Sequence, residues 1–297
     1  MKGKYYYLIS GLPHISLDVV EGAPDFRAFM DETAELVSRR DVELLRLIRL
    51  PADNRNLVNM LEKKEVPFDM TGNFSEEELR HALGGLDILP PYMMSIIEAH
   101  RLDLPVFHNM TWNDQINWLF HEFVDGMPNA FLKEWFSFEL NLGNFLSALI
   151  SREFNISIER RIDQRIEKTR AQAIIGHNEI AEVILESSAP DLSLSRLLPF
   201  VDEILALDRS DLAGFERGID RIRWEMLDEM TCFDYFDIEV LLVYGLKLGI
   251  LERWKGLDEV KGGERFGHIL AGLEMEGCGF KNNGAQAAAA ALSGAER

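Results

Sequence analysis

Residues 233–257, FDYFDIEVLLVYGLKLGILERWKGL, decide the fold class. The centre of the stretch, 238–250, is apolar except for Glu239 and Lys247, and Glu252, Arg253 and Trp254 close it. A membrane-crossing helix needs roughly 20 predominantly apolar residues, and this run covers about half that reach. It reads as a buried core helix. The rest of the chain is organised to bury it.

Helical periodicity dominates from Asp25 onward. Phe26, Phe29 and Met30, then Leu44, Leu45, Leu47 and Ile48, follow the i, i+3, i+4 pattern of one helix face. Asp53 is placed to cap a helix whose stripe is Leu57, Met60 and Leu61. Ser75-Glu76-Glu77-Glu78 is a capping box, and its helix should stop at Gly84-Gly85. Pro90-Pro91 opens another helix through Arg101. Thr111 caps one carrying Ile116, Leu119, Phe120 and Phe123 that ends at Gly126. Pro128 begins an aromatic-rich pair of helices through Phe154, and 157–187, free of proline, reads as one long bridging helix. The strand candidate is 5–10. The class is mainly α, a bundle of helical modules with a possible short N-terminal strand.

Positions 44–61 overlie 132–149 at a constant offset. Leu47 then meets Trp135, Asp53 meets Asn141, Asn56 meets Asn144, and Leu57 meets Phe145. The echo predicts a repeated helix–turn–helix with a polar residue at each turn, so Asp53, Asn56, Asn141 and Asn144 are read as structural turn residues. A third, degenerate copy would span 218–257. Modules over 1–105, 106–217 and 218–276 follow, with a Gly-, Asn- and Ala-rich tail, 277–297, expected to be poorly ordered.

Three segments together resemble a known family: the opening Tyr5-Tyr6-Tyr7-Leu8-Ile9-Ser10-Gly11-Leu12-Pro13, the turn Asp53-Asn54-Arg55-Asn56-Leu57, and 233–257. They are similar to the V/A-type ATPase rotor subunit called C in prokaryotes and d in eukaryotes, and most similar to a shorter bacterial branch of it. The resemblance implies a funnel-shaped helical socket of internally similar modules, seated on the membrane rotor ring and receiving the foot of the central shaft. It implies torque transmission during proton or sodium transport, with no catalytic residue and no cofactor. Its implied partners are the shaft subunits and the rotor ring, met from the cytoplasmic side of the inner membrane. Pro13 and the shorter chain depart from the larger family, and Asn141 replaces the acidic residue of its turn. The alternative is a free-standing α-helical adaptor unconnected with an ATPase.

Composition is compatible with either. With 47% hydrophobic residues in 297, the chain can bury a substantial core. A net charge of −19 disfavours a nucleic-acid partner, since phosphates would be repelled, and suits docking onto basic protein surfaces. Cys232 and Cys278 cannot form a disulfide scaffold, which points to a reducing, cytoplasmic compartment. The sequons at Asn73, Asn109 and Asn155 then read as chance matches.

Few residues suggest chemistry. His121-Glu122-Phe123-Val124-Asp125 begins like a zinc-protease helix but has Asp125 where the second histidine belongs, so no metal is expected there. Glu122 and Asp125 should face water while Phe120 and Phe123 point inward. Gly262-Gly263-Glu264-Arg265 lacks the lysine and hydroxyl of a phosphate-binding loop. Arg160, Arg161, Arg165, Lys168 and Arg170 form a basic cluster, a solvated helix face or a docking patch for an acidic partner.

Overall fold

A computed structural model describes residues 4–20, 22–108, 110–153, 159–160, 171–172, 174, 176, 178–232 and 236–255. The chain groups into a unit over Met1–Ile250 and a second over Leu251–Arg297, of which only 251–255 are described. The tail, 277–297, lies outside the described residues.

The fold is mainly α. In chain order the helices are α1 (Tyr6–Gly11), α2 (Phe26–Ala34), α3 (Arg39–Leu47), α4 (Leu50–Leu61), α5 (Glu76–Leu83), α6 (Pro91–Arg101), α7 (Trp112–Asp125), α8 (Ala130–Glu153), α9 (Glu179–Glu186), α10 (Phe200–Ala206), α11 (Leu212–Met230) and α12 (Ile238–Lys255). Several starts are those that local chemistry dictates. Ser75 accepts from the Glu78 N–H while Glu78 accepts from Ser75, a complete capping box for α5. Thr111 caps α7, and Pro91 occupies the first turn of α6, where its missing N–H costs nothing. Helix α7 packs against α4, α6 and α8, and α9 against α8.

Helix α12 is the core helix that its composition predicts. Leu241, Leu242, Val243, Tyr244, Leu248 and Ile250 are all buried, and no described helix is long and apolar enough to cross a membrane. The Tyr244 ring packs 5.2 Å from Phe29, and its hydroxyl donates to the Pro13 carbonyl at 3.1 Å. Lys247, the one cation inside the apolar run, is buried against Asp228 of α11 at 2.5 Å and over the Trp224 ring. Burial lowers its pKa despite that carboxylate.

Two glycines bring α12 close to its neighbours. A Cβ at Gly245 would lie 2.8 Å from Ile48 Cδ1 and 3.0 Å from Phe26 Cε2, and one at Gly249 would lie 3.3 Å from Arg49 Nη1. Gly245→Ala should therefore destabilise by about 1–2 kcal/mol, because overpacking outweighs the gain in helix propensity. Gly143→Ala, on the open face of α8 where a Cβ meets nothing within 4 Å, should stabilise by about 0.5–1 kcal/mol. Paired urea denaturation curves separate the two, and a stabilised Gly245→Ala would contradict this packing.

Four sequence expectations are corrected. Residues 5–10 are not a strand: Tyr5 is anchored by its N–H on the Phe236 carbonyl at 2.9 Å and its hydroxyl on Asp41, and α1 follows. Pro13 ends it by forcing Leu12 into extended backbone. The aromatic region 130–153 is one helix, not a pair, so the second copy of the proposed repeat has no turn. The cause is a single position. Pro51 lacks the N–H that a continuous α3 would need, so that helix stops at Leu47 and α4 restarts at Leu50. Glu139, the equivalent in the second copy, supplies its N–H and α8 runs on.

The single helix expected over 157–187 is also not formed. Glu159–Arg160 pairs antiparallel with Ala171–Gln172, and α9 starts afresh behind its own N-cap, Asn178. Asp53, lastly, is not an N-cap. It sits inside the first turn of α4, fully buried, and its partners lie elsewhere.

Candidate functional site

The densest polar constellation is built on the turn motif of α4. Leu50 starts the helix and Pro51 fixes its first turn, which turns Asp53, Asn54, Asn56 and Leu57 inward and leaves Arg55 exposed. Asp53 is 0% exposed. Its carboxylate accepts from the Asn73 N–H at 3.0 Å, from Asn73 Nδ2 at 2.8 Å and from the Phe74 N–H at 3.1 Å. Asn73 Nδ2 also donates to the Arg46 carbonyl at 2.9 Å, so the loop is tied to the end of α3 as well. Gly72 permits this approach, since a Cβ there would stand 2.2 Å from Asp53 Oδ1.

Asn56 makes the second tie. Its Nδ2 donates to the Asp69 carbonyl at 2.8 Å and its Oδ1 accepts from the Asp69 N–H at 2.9 Å. The Asp69 carboxylate accepts from the Thr71 N–H and hydroxyl and from Arg55 Nη2 at 2.9 Å. Asn54 accepts from the buried Tyr92 hydroxyl of α6 at 2.7 Å, while its Nδ2 finds no hydrogen-bond partner among the described residues. One turn of α4 thus holds residues 69–74 by both ends.

The ionisation states follow from these contacts. Burial raises the Asp53 pKa, outweighing the three hydrogen bonds it accepts, and the nearby Asp69 charge adds to the rise. Burial also pushes Asp69 up, but the Thr71 hydrogen bonds and Arg55 together bring it below the usual value. Burial keeps Tyr92 a neutral donor, with its pKa well above normal. A carboxylate with no exposed surface and three donors already in place touches no solute in this conformation. A shallow groove of about 250 Å³ lies alongside, lined by Asn56, Met60, Lys63 and Phe68 among others.

The other predicted turn residues stand elsewhere. Asn141 and Asn144 lie within α8, and α8 and α4 both pack on α7. Asn141 Oδ1 accepts from Asn178 Nδ2 at 2.8 Å, which orients the residue that caps α9. Asn144 is buried. The four residues therefore do not form one site: Asp53 and Asn56 hold the loop over residues 69–74, Asn141 holds the cap of α9, and Asn144 lies in the core. Arg160 belongs to the short strand pair and its side chain lies outside the described residues, as do Arg161, Arg165, Lys168 and Arg170.

Around His121, Glu122 and Asp125 face solvent as expected, Phe120 is buried, and Phe123 is half-buried 5.1 Å from the Tyr92 ring. Glu122 accepts from Trp118 Nε1 at 2.9 Å. No group of three or more His, Cys, Asp or Glu among the described residues could hold a metal. Burial depresses the His121 pKa to about 4, against the opposing pull of Asp125.

The linkage sign is fixed by that depression. Below the ordinary histidine pKa the unfolded chain takes up a proton that the folded chain refuses. Folding stability should therefore fall by up to about 3 kcal/mol as pH drops from 6.5 to 4. The His121→Gln variant should lose that component of the pH profile in urea titrations at successive pH values. Identical profiles would show that His121 is not the group responsible.

Sequence reasoning missed Asn73, Gly72 and Tyr92 as partners of the motif. Asp69-Met70-Thr71 did carry a signal, an Asp whose side chain bonds the backbone two residues on. Also unseen was the half-buried cation Arg223 of α11, which bridges Glu139 of α8 at 2.8 Å and the buried Asp220 of its own helix at 3.1 Å.

Taken together, these residues define a mainly α-helical protein in which Asp53 and Asn56 tie a loop, and Asn141 a helix cap, to the frame. The chain belongs to the family described as Protein of unknown function (DUF2764), whose model matches residues 1–277. No curated protein and no solved structure matches it.

Proposed function

We propose that this protein is a non-catalytic rotor-stalk subunit of a V-type ATPase, coupling the central shaft to the membrane rotor ring during ion transport. The observation that carries the reading is the wiring of Asp53-Asn54-Arg55-Asn56-Leu57, one of the segments on which the resemblance to the rotor subunit rests. The side chains of Asp53 and Asn56 are turned into the protein and bound to backbone groups of residues 69–74. That arrangement suits a part that must transmit torque without yielding, because each tie resists displacement of a loop against a helix.

A mainly helical body supports the same role, as does a net charge of −19, which steers docking onto basic elements of the shaft or ring. Each end would need an interface of standard size, roughly 1,200–2,000 Å² in total. In this role the protein works at the cytoplasmic face of the inner membrane, held there by the complex.

Affinity purification from native cells in mild detergent, followed by mass spectrometry, tests the proposal. Near-stoichiometric recovery of the shaft and ring subunits is the expected result. Recovery of the protein alone, with the ATPase intact elsewhere in the lysate, would overturn it in favour of a free-standing adaptor.

A further inference from the structure

Helices α5 and α6 end in the same way. The Leu86 N–H bonds the His81 carbonyl at 3.1 Å across Gly85, and the Leu104 N–H bonds the Ala99 carbonyl at 2.9 Å across Asp103. Gly85 and Asp103 are both left-handed, with φ of 106° and 52°. Each end is thus a Schellman turn, which usually packs the residue after the left-handed position against an apolar residue at the end of the helix. Here the facing positions are polar His81 and small Ala99, so the leucines are left uncovered. Leu86 is 52% exposed, Leu104 63%, and Leu102 beside it 58%.

The two ends adjoin. Arg101 Nη2 donates to the Leu83 carbonyl at 3.3 Å, which sets the end of α6 against the end of α5. The two turns carry related sequences, Leu86-Asp87-Ile88 and Leu102-Asp103-Leu104, in which an exposed carboxylate stands between exposed apolar side chains. Glu98, one turn earlier on α6, is exposed as well. Asp87, Asp103 and Glu98 form no ion pair among the described residues. The apolar patch is thus edged by three carboxylates without ion pairs among the described residues, against the exposed Arg101 that joins the two ends. On a chain of net charge −19, such a patch calls for a partner that is apolar on one face and basic at its edges.

We infer that the paired Schellman ends of α5 and α6 form a docking surface for a basic amphipathic helix of a partner protein. The partner's leucine-like face covers Leu86, Leu102 and Leu104, and its Lys or Arg flanks pair with Asp87, Asp103 and Glu98. The inference is independent of the rotor reading, since it needs no ATPase component.

The test uses the full chain and a fluorescent Leu/Lys peptide of about 18 residues, long enough for a stable amphipathic helix, at roughly 0.15 M salt. A peptide of the same composition with its leucines scrambled off one face is the control. Anisotropy should show the amphipathic peptide binding at least about tenfold more tightly than the scrambled one. Leu86→Ser with Leu104→Ser should weaken it about tenfold, whereas Leu36→Ser with Leu212→Ser, at apolar sites just as exposed, should not. Asp87→Lys with Asp103→Lys leaves the leucines in place and should give a loss of similar size, which guards against misfolding of the serine variant. Equal binding of both peptides, or of all variants, would reduce the interaction to bulk charge and overturn the inference. So would a dimer in sedimentation that Leu86→Ser with Leu104→Ser dissolves, since the surface would then belong to a second copy.

Discussion

Replacing Asp53 by Ala is expected to lower the unfolding free energy by about 3–5 kcal/mol. The fully buried carboxylate is the shared acceptor for three donors of residues 73–74. Its removal takes the acceptor from the half-buried Asn73 and Phe74 N–H groups and leaves a cavity inside α4, while Asn73 Nδ2 keeps only the Arg46 carbonyl. Each buried donor left without a partner costs about 1–3 kcal/mol. Urea denaturation should show the loss as a lower midpoint, and amide hydrogen exchange should show Asn73 and Phe74 losing protection before the helices do. A midpoint within about 0.5 kcal/mol of the wild type would mean that the loop is not held by Asp53.

Asp53→Asn adds a pH signature. The folded-state pKa of Asp53 is raised, so its favourable contribution is fully present below the ordinary carboxylate pKa and declines as pH rises through the folded value. The cost of Asp53→Asn should therefore be greater at pH 4 than at pH 7. A cost that grew with pH would indicate that the three donors, and not burial, dominate its ionisation.

Arg223→Ala should be comparably damaging, at about 3–5 kcal/mol. The guanidinium grips Glu139 through Nε at 2.8 Å and Nη2 at 3.2 Å, and Asp220 through Nη1 at 3.1 Å. Asp220 is 1% exposed, so loss of the cation removes an ion-pair partner from a buried carboxylate. Burial opposes the charge on Arg223, but Glu139 and Asp220 outweigh it and hold the guanidinium protonated. Arg223→Lys should recover only part of the loss, because an ammonium cannot span both carboxylates with the planar fork. A double-mutant cycle of Arg223→Ala with Glu139→Ala, read by urea denaturation, should give a coupling of about 1–3 kcal/mol. Additive losses would show that α8 and α11 are not joined through this pair.

How far these features can be read from the sequence depends on the distance between partners along the chain. The capping box at Ser75, the Thr111 cap and the Pro91 start are satisfied within three or four residues, and each forms where the residue types place it. The polar residues of α4 are legible as a structural motif, but the partners of Asp53 are not. As a helix cap Asp53 would have bonded its own first turn, whereas its donors lie 20 residues on, in a loop that only packing brings back. Arg223 left no local trace, since its principal partner is 84 residues away. Asn141 and Asn144 seemed to mark a turn because their counterparts stood near one. The turn in fact belongs to Pro51, and nothing at Glu139 breaks α8.

By itself, the sequence determined that the protein is mainly α, that 238–250 lies in its core, and where α5, α6 and α7 begin. Those outcomes rest on apolar periodicity and on hydrogen bonds closed within one helical turn. Only the tertiary structure decided which polar side chains would be buried, which loop Asp53 and Asn56 hold, how closely Gly245 and Gly249 let α12 approach Ile48 and Arg49, and which leucines remain outside. A buried polar group is stable only if the fold delivers its partner, and that delivery depends on packing between segments distant in the chain.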